Sequence, residues 1–117
     1  MDLRDLVRAL VANDTLTARQ WVADASRARI SWTTIPRPTE LDSIGMAVAA
    51  GVVETLAERA SEPAPPWTSE VPALAEPFLL VRAAAYMPRL RRLCEEEGPE
   101  PLRRRRLLAP PEFLTAA

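Results

Sequence analysis

Prolines decide where this chain can be helical. Pro36 and Pro38 interrupt "ISWTTIPRPTEL" (30–41), and five more prolines fall in "SEPAPPWTSEVPALAEP" (61–77). Each removes a backbone donor and pushes the preceding residue extended. Helix is therefore confined to the stretch before 30, to about 43–60, and to the region after 77. Leu3, Leu6, Val7, Leu10 and Val11 recur at helical spacing and predict a helix over about 2–12. "NDT" breaks it. Thr15 or Thr17 is the expected cap of a second helix to about Arg29, with Ala18, Trp21, Val22 and Ala25 inward. Asp42 or Ser43 caps the third, whose stripe runs from Ile44 through Ala47, Val48, Gly51, Val52 and Thr55 to Leu56. Ala47, Ala50 and Gly51 let another helix approach closely.

The proline-rich connector holds Trp67 and Val71, which need burial, so it reads as an ordered loop rather than a flexible linker. "FLLVRAAAYM" (78–87) fits a helix or a short strand, and its alanine triplet favours helix. Pro88 is placed to begin the next helix, with Leu90, Leu93 and Cys94 inward. "EEEG" ends it; three glutamates at a C-terminus oppose the helix dipole and call for a basic neighbour. Pro99 restarts a short helix carrying Leu102 and Arg103 to Arg106, and "LLAPPEFL" is expected extended, then turning. No internal repeat is present. The predicted fold is all-α: a compact single-domain helical bundle of about five helices over residues 1–117. Residues 1–62 supply a three-helix portion. Residues 63–117 supply the ordered connector, a basic helical segment and an extended C-terminal tail. With 117 residues, 48% of them apolar, one core is feasible.

Much chemistry is excluded by residue type. The chain has no histidine and one cysteine, Cys94. Histidine general bases, Ser-His-Asp triads, histidine ligation and thiolate zinc sites are absent from its means. There is no lysine for a Schiff base and only three glycines, too few for a phosphate-cradling loop. "CEEEGPE" reads as a solvated charge run, Cys94 as a buried inert thiol, and Asp24 with Arg27 or Glu54 near Arg59 as ordinary surface charges. No catalytic, metal or cofactor site is expected, and no enzymatic activity. Trp21 and Trp32 read as core. Trp67 either seals the connector or offers an exposed anchor. The lone cysteine fits a reducing cytoplasm, "MDLRDLVRAL" is not a signal peptide, and no apolar run approaches a membrane span.

All fifteen basic residues are arginine. Residues 1–81 hold seven arginines and eleven acids, giving 7 − 11 = −4; residues 82–117 hold eight and five, giving 8 − 5 = +3. The two parts sum to the net charge of −1. The basic excess centres on Arg82, Arg89, Arg91, Arg92 and the run Arg103 to Arg106. Successive residues on a helix step about 100° apart, so all four of the run cannot follow one groove. Three destinations stand open: pairing with Glu95, Glu96 or Glu97 inside the chain, a protein partner, or nucleic acid. The interleaved Leu102, Leu107, Leu108, Phe113 and Leu114 resemble interface composition. A third type of contact, self-association through Ala47, Ala50 and Gly51, would give a homodimer.

Residues 63–114 carry an ordered set of features: Pro66-Trp67-Thr68, then Pro77, then a helix led by Pro88 with Leu90 and Leu93, then Pro99, Leu102, Arg103 to Arg105 and an apolar tail with Phe113. This order resembles a segment found downstream of helix-turn-helix domains in bacterial antitoxin-like regulators. The resemblance implies a non-enzymatic protein that binds and neutralises or regulates another protein, such as a nucleotidyltransferase- or nuclease-type toxin. It covers less than half of the chain. Residues 1–62 offer no convincing recognition helix, because "SIGMAVAAG" is apolar where a DNA-reading helix exposes polar side chains. The expected partner-binding residues are Trp67, Arg89, Arg92, Arg103, Arg104, Arg105, Arg106 and Phe113. The alternative is a DNA- or RNA-binding regulator using the same arginines.

Overall fold

A computed structural model describes residues 1–115. Its N-terminal portion holds α1 (Leu3–Val11), α2 (Thr15–Arg27) and α3 (Ser43–Arg59). All three begin on an aspartate. The Asp2 carboxylate accepts from the Arg4 N–H, Asp14 from the Thr17 N–H at 3.2 Å, and Asp42 from the Gly45 N–H at 2.7 Å. Asp14 therefore takes the capping role expected of Thr15 or Thr17. Its anionic oxygen satisfies an orphan donor and also meets the positive end of the helix.

α3 is the central element. Every residue from Ala47 to Ala57 is buried, and α1, two 3-10 turns and the C-terminal elements pack around it. The turns are Trp32–Thr34 and Pro66–Glu70. The second holds the connector in place: Trp67 is buried, its indole N–H donates to the Ile35 carbonyl at 2.8 Å, and Val71 is buried beside it. The ordered-loop expectation holds. Trp32 is core, whereas Trp21 is only half-buried, with its N–H on the Asp2 carbonyl at 3.1 Å.

Gly51 forms a slot in α3. A Cβ there would lie 2.8 Å from Leu102 Cδ2 and 3.2 Å from Leu107 Cδ1. The close approach expected at the small residues is thus made by the chain's own α5 (Glu100–Arg103) and the segment after it. Ala47 and Ala50 are buried as well. The face expected to serve self-association is already occupied within the chain.

The preference for helix over 78–87 is overturned. Phe78–Leu79 form β1, Arg82–Ala85 make a 3-10 turn, and α4 then spans Pro88–Glu97. β1 pairs in parallel with β2 (Leu107–Leu108), Phe78 opposite Leu107. The Phe78 N–H donates to the Arg106 carbonyl at 2.9 Å and the Leu80 N–H to the Leu108 carbonyl at 3.0 Å. Pro77 could begin a helix as Pro88 does, but large apolar residues suit a pleated, half-buried ribbon. The carbonyls of 106–108 supply acceptors that a helix over 78–87 would leave unused, so tertiary pairing wins over alanine propensity. The result is a mostly helical globule of five α-helices with one two-stranded parallel sheet among the described residues. A small second cluster, Ala84, Cys94 and Leu108 with Leu79 and Leu90, seats α4 on this sheet. Among the described residues no helix is long and apolar enough to cross a membrane.

Candidate protein-binding surface

The arginine run turns inward. Arg105 is 3% exposed and meets Glu54, itself 8% exposed, in the middle of the molecule. One guanidinium nitrogen bonds Glu54 Oε1 and the Pro101 carbonyl (3.1 Å). The other bonds Glu54 Oε2 (3.1 Å) and the Thr68 carbonyl (2.7 Å). Arg104 bridges Glu54 at 2.5 Å and Glu100 at 3.2 Å. Burial pushes the Glu54 carboxyl up, but hydrogen bonds from Arg105 and Arg104 outweigh it and hold the group below the usual glutamate range. Glu54 was expected to be a surface charge near Arg59. It is instead the anchor of the C-terminal segment. The intramolecular pairing of Arg104 and Arg105 is present, with Glu54 and Glu100 in place of Glu95 to Glu97. Glu95 pairs with Arg91 at 3.4 Å.

The other two arginines of the run hold backbone. Arg103 Nε donates to the Gly98 carbonyl at 2.6 Å, which gives the acidic end of α4 its basic neighbour. Arg106, at φ 65°, donates to the Ala75 carbonyl at 2.5 Å. A left-handed arginine here reverses the chain between α5 and β2, so that the run ends in a strand rather than a longer helix. Phe113 is buried, and its carbonyl accepts from Arg59 at 2.6 Å. Of the eight expected contact residues, Trp67, Arg105 and Phe113 lie in the interior. Arg103, Arg104 and Arg106 are engaged with the chain itself. Only Arg89 and Arg92 stand exposed without a bond to any described residue.

Those two mark a different surface. Tyr86 is 82% exposed and Met87 54% exposed, side by side at the entry to α4. Arg82, also exposed, starts the turn before them. Tyr86, Met87 and Arg82 were missed as site residues in the sequence. The available signal was a Tyr-Met pair directly before a helix-starting proline, outside the apolar period of that helix. On α4, Leu90 and Leu93 are half-buried and Cys94 fully buried, so Arg89 and Arg92, three residues apart, share the outer face. Cys94 is buried, as expected, and burial raises its thiol above the ordinary range.

α4 is charged against its own dipole. Arg89, Arg91 and Arg92 occupy its first half, Glu95, Glu96 and Glu97 its end. A helix N-terminus is positive and its C-terminus negative, so each such charge in the first or last turn costs ~0.3–1 kcal/mol at low ionic strength. No side chain caps the start of α4. The helix is held by its small cluster and by Arg103, not by its own charges.

A further concavity lies elsewhere. A cleft of about 870 Å3 between α1, α2 and residues 30–39 is walled by Trp21, Ile30, Ile35, Pro36 and Pro38. Its charges are already matched. Arg4 is held by Asp2 at 2.9 Å and Glu40 at 3.1 Å, which lowers the Asp2 carboxyl to about 2, and Arg37 lies 3.9 Å from Glu70. The cleft offers apolar surface without a free charge to orient a ligand. The 82–92 surface offers both. No protein-family model matches this chain, and neither does any curated protein or solved structure.

Proposed function

We propose that this chain is a non-enzymatic protein-binding module that neutralises or regulates a partner protein, as antitoxins do. The observation that carries the reading is the exposed Tyr86–Met87 pair beside exposed arginines. Tyrosine, methionine and arginine are the side chains enriched at protein interfaces, and single aromatic anchors often dominate their energy. An isolated exposed leucine needs no explanation, but an aromatic and a methionine adjacent on one turn form a patch. The toxin-directed form of the reading rests on the resemblance of residues 63–114 alone. The contact it supports is centred on 82–92, because the Arg103 to Arg106 run is spent inside the chain.

The test is a pull-down with the tagged chain and its Tyr86→Asp, Met87→Asp variant, washed at high salt. The expected result is a stoichiometric protein retained by the parent chain and lost from the variant, with unchanged circular dichroism. Equal retention by both would remove the surface from consideration.

A further inference from the structure

The first half of α4 accumulates positive charge, of which only Arg91 is answered by a carboxylate, that of Glu95. Arg89 and Arg92 share its outer face, and among the described residues neither has a carboxylate within 4.0 Å. The uncapped helix N-terminus adds its own partial positive charge at the same place. Arg82 stands on the turn before it, reaching only the Ala12 carbonyl at 3.4 Å. Arg4, Arg27, Arg91, Arg104 and Arg105 all meet carboxylates, whereas Arg19 and Arg29 on and after α2 are, like Arg89 and Arg92, exposed without one, but neither of those two stands beside an exposed Tyr-Met pair. At 82–92 unpaired arginines coincide with exposed Tyr86 and Met87 and with charges set against the helix dipole, and local rules broken together without compensation inside the fold mark a surface shaped by something outside it.

We infer that the 82–92 surface docks on an acidic protein surface that carries an apolar pocket. This rests on the reading of the chain as a protein-binding module. Carboxylates of the partner lie over Arg89 and Arg92, where each guanidinium donates a planar pair of hydrogen bonds. Tyr86, with Met87 beside it, enters the pocket. The partner's negative charge completes what the helix dipole lacks, so α4 is more stable bound than free. A nucleic acid fits less well. Glu95, Glu96 and Glu97 lie on the same ten-residue helix and repel a continuous phosphate backbone, whereas a protein surface can present carboxylates at one end only.

Two experiments decide the matter. In the first, Arg89→Glu is melted beside the parent chain at low salt. A raised melting temperature is expected, because the substitution places an anion in the first turn of a helix; the double variant Arg89→Glu, Arg92→Glu is kept for the binding experiment, since Glu at 92 would also face Glu95 and Glu96. A lowered one overturns the argument that Arg89 is held against the stability of the fold. In the second, random peptides displayed on phage are panned on the immobilised chain, and recovered sequences are synthesised. Expected are peptides with several carboxylates around one large apolar residue. They should shift the backbone amides of 82–92 and bind at least about tenfold more weakly to the double variant. Peptides that map to 82–92 without acidic residues, and bind both proteins equally, overturn the acidic partner and leave the binding module standing. No peptide mapping to 82–92 overturns both. Labelled duplex DNA that binds through Arg89 and Arg92, with affinity falling steeply with salt, overturns the inference in favour of nucleic acid.

Discussion

Arg105→Ala should be the most damaging single substitution at the C-terminal segment. It removes four hydrogen bonds: two to Glu54 and one each to the carbonyls of Thr68 and Pro101. Breaking a buried ion pair from one side costs roughly 3–5 kcal/mol, because the remaining charge stays desolvated. Arg104 still reaches Glu54, so the expected loss is at the lower end, about 3 kcal/mol. A chain of this length has a total stability of roughly 6–18 kcal/mol. The variant should fold with a clearly lowered urea midpoint and an unchanged slope, followed by tryptophan fluorescence. The paired replacement Glu54→Leu, Arg105→Met removes both charges and keeps the volume, and should recover most of the loss. Arg105→Lys should not, since a point charge cannot span Glu54, Thr68 and Pro101 together. A loss below about 1 kcal/mol for Arg105→Ala, typical of a surface pair, would refute the reasoning. So would a double variant as unstable as the sum of its parts.

Other outcomes follow from the same contacts. The Glu54 carboxyl is held below its ordinary value, so the unfolded chain takes up the proton first; the stability it contributes is present above about pH 4.5 and lost as pH falls. An acid titration of melting temperature should show this decline, and Glu54→Gln should flatten it. Gly98→Ala should destabilise by about 2 kcal/mol or more, because its Cβ would meet the Ala109 carbonyl at 2.4 Å and the Cys94 carbonyl at 2.6 Å, both backbone. A chemical melt of the purified variant checks it. Cys94 should react with a thiol reagent only at the rate of unfolding, and a fast reaction in native buffer would place the thiol at the surface.

The helical periods of α1, α2 and α3 could be read directly, since their apolar stripes recur at fixed spacing and their ends carry Asx or proline signals. The buried connector could be read from Trp67 and Val71. The failures share one cause. Residues 78–87, Glu54 and the arginine run are decided by partners 29 to 51 positions away: Phe78 by Leu107, Glu54 by Arg105. No local window holds that information. Four arginines in a row look like a surface because charge is usually solvated, and only the fold shows that one of them is enclosed. The site moved for the same reason. Once the run is spent internally, the part of the C-terminal basic excess that reaches solvent without an answering charge is at Arg82, Arg89 and Arg92. Tyr86 and Met87 then become conspicuous through exposure, which sequence does not encode.

The order in which these parts leave the ribosome gives the Glu54 contact a temporal side. Glu54 is made 51 residues ahead of Arg105. At ordinary rates of synthesis it waits roughly 3 to 10 seconds for its buried partner. During that interval α3 exists with an open slot at Gly51 and an uncompensated carboxylate facing it. The N-terminal portion therefore cannot complete its core by itself: the slot at Gly51 is filled, and Glu54 paired, only when α5 and β2 have been made.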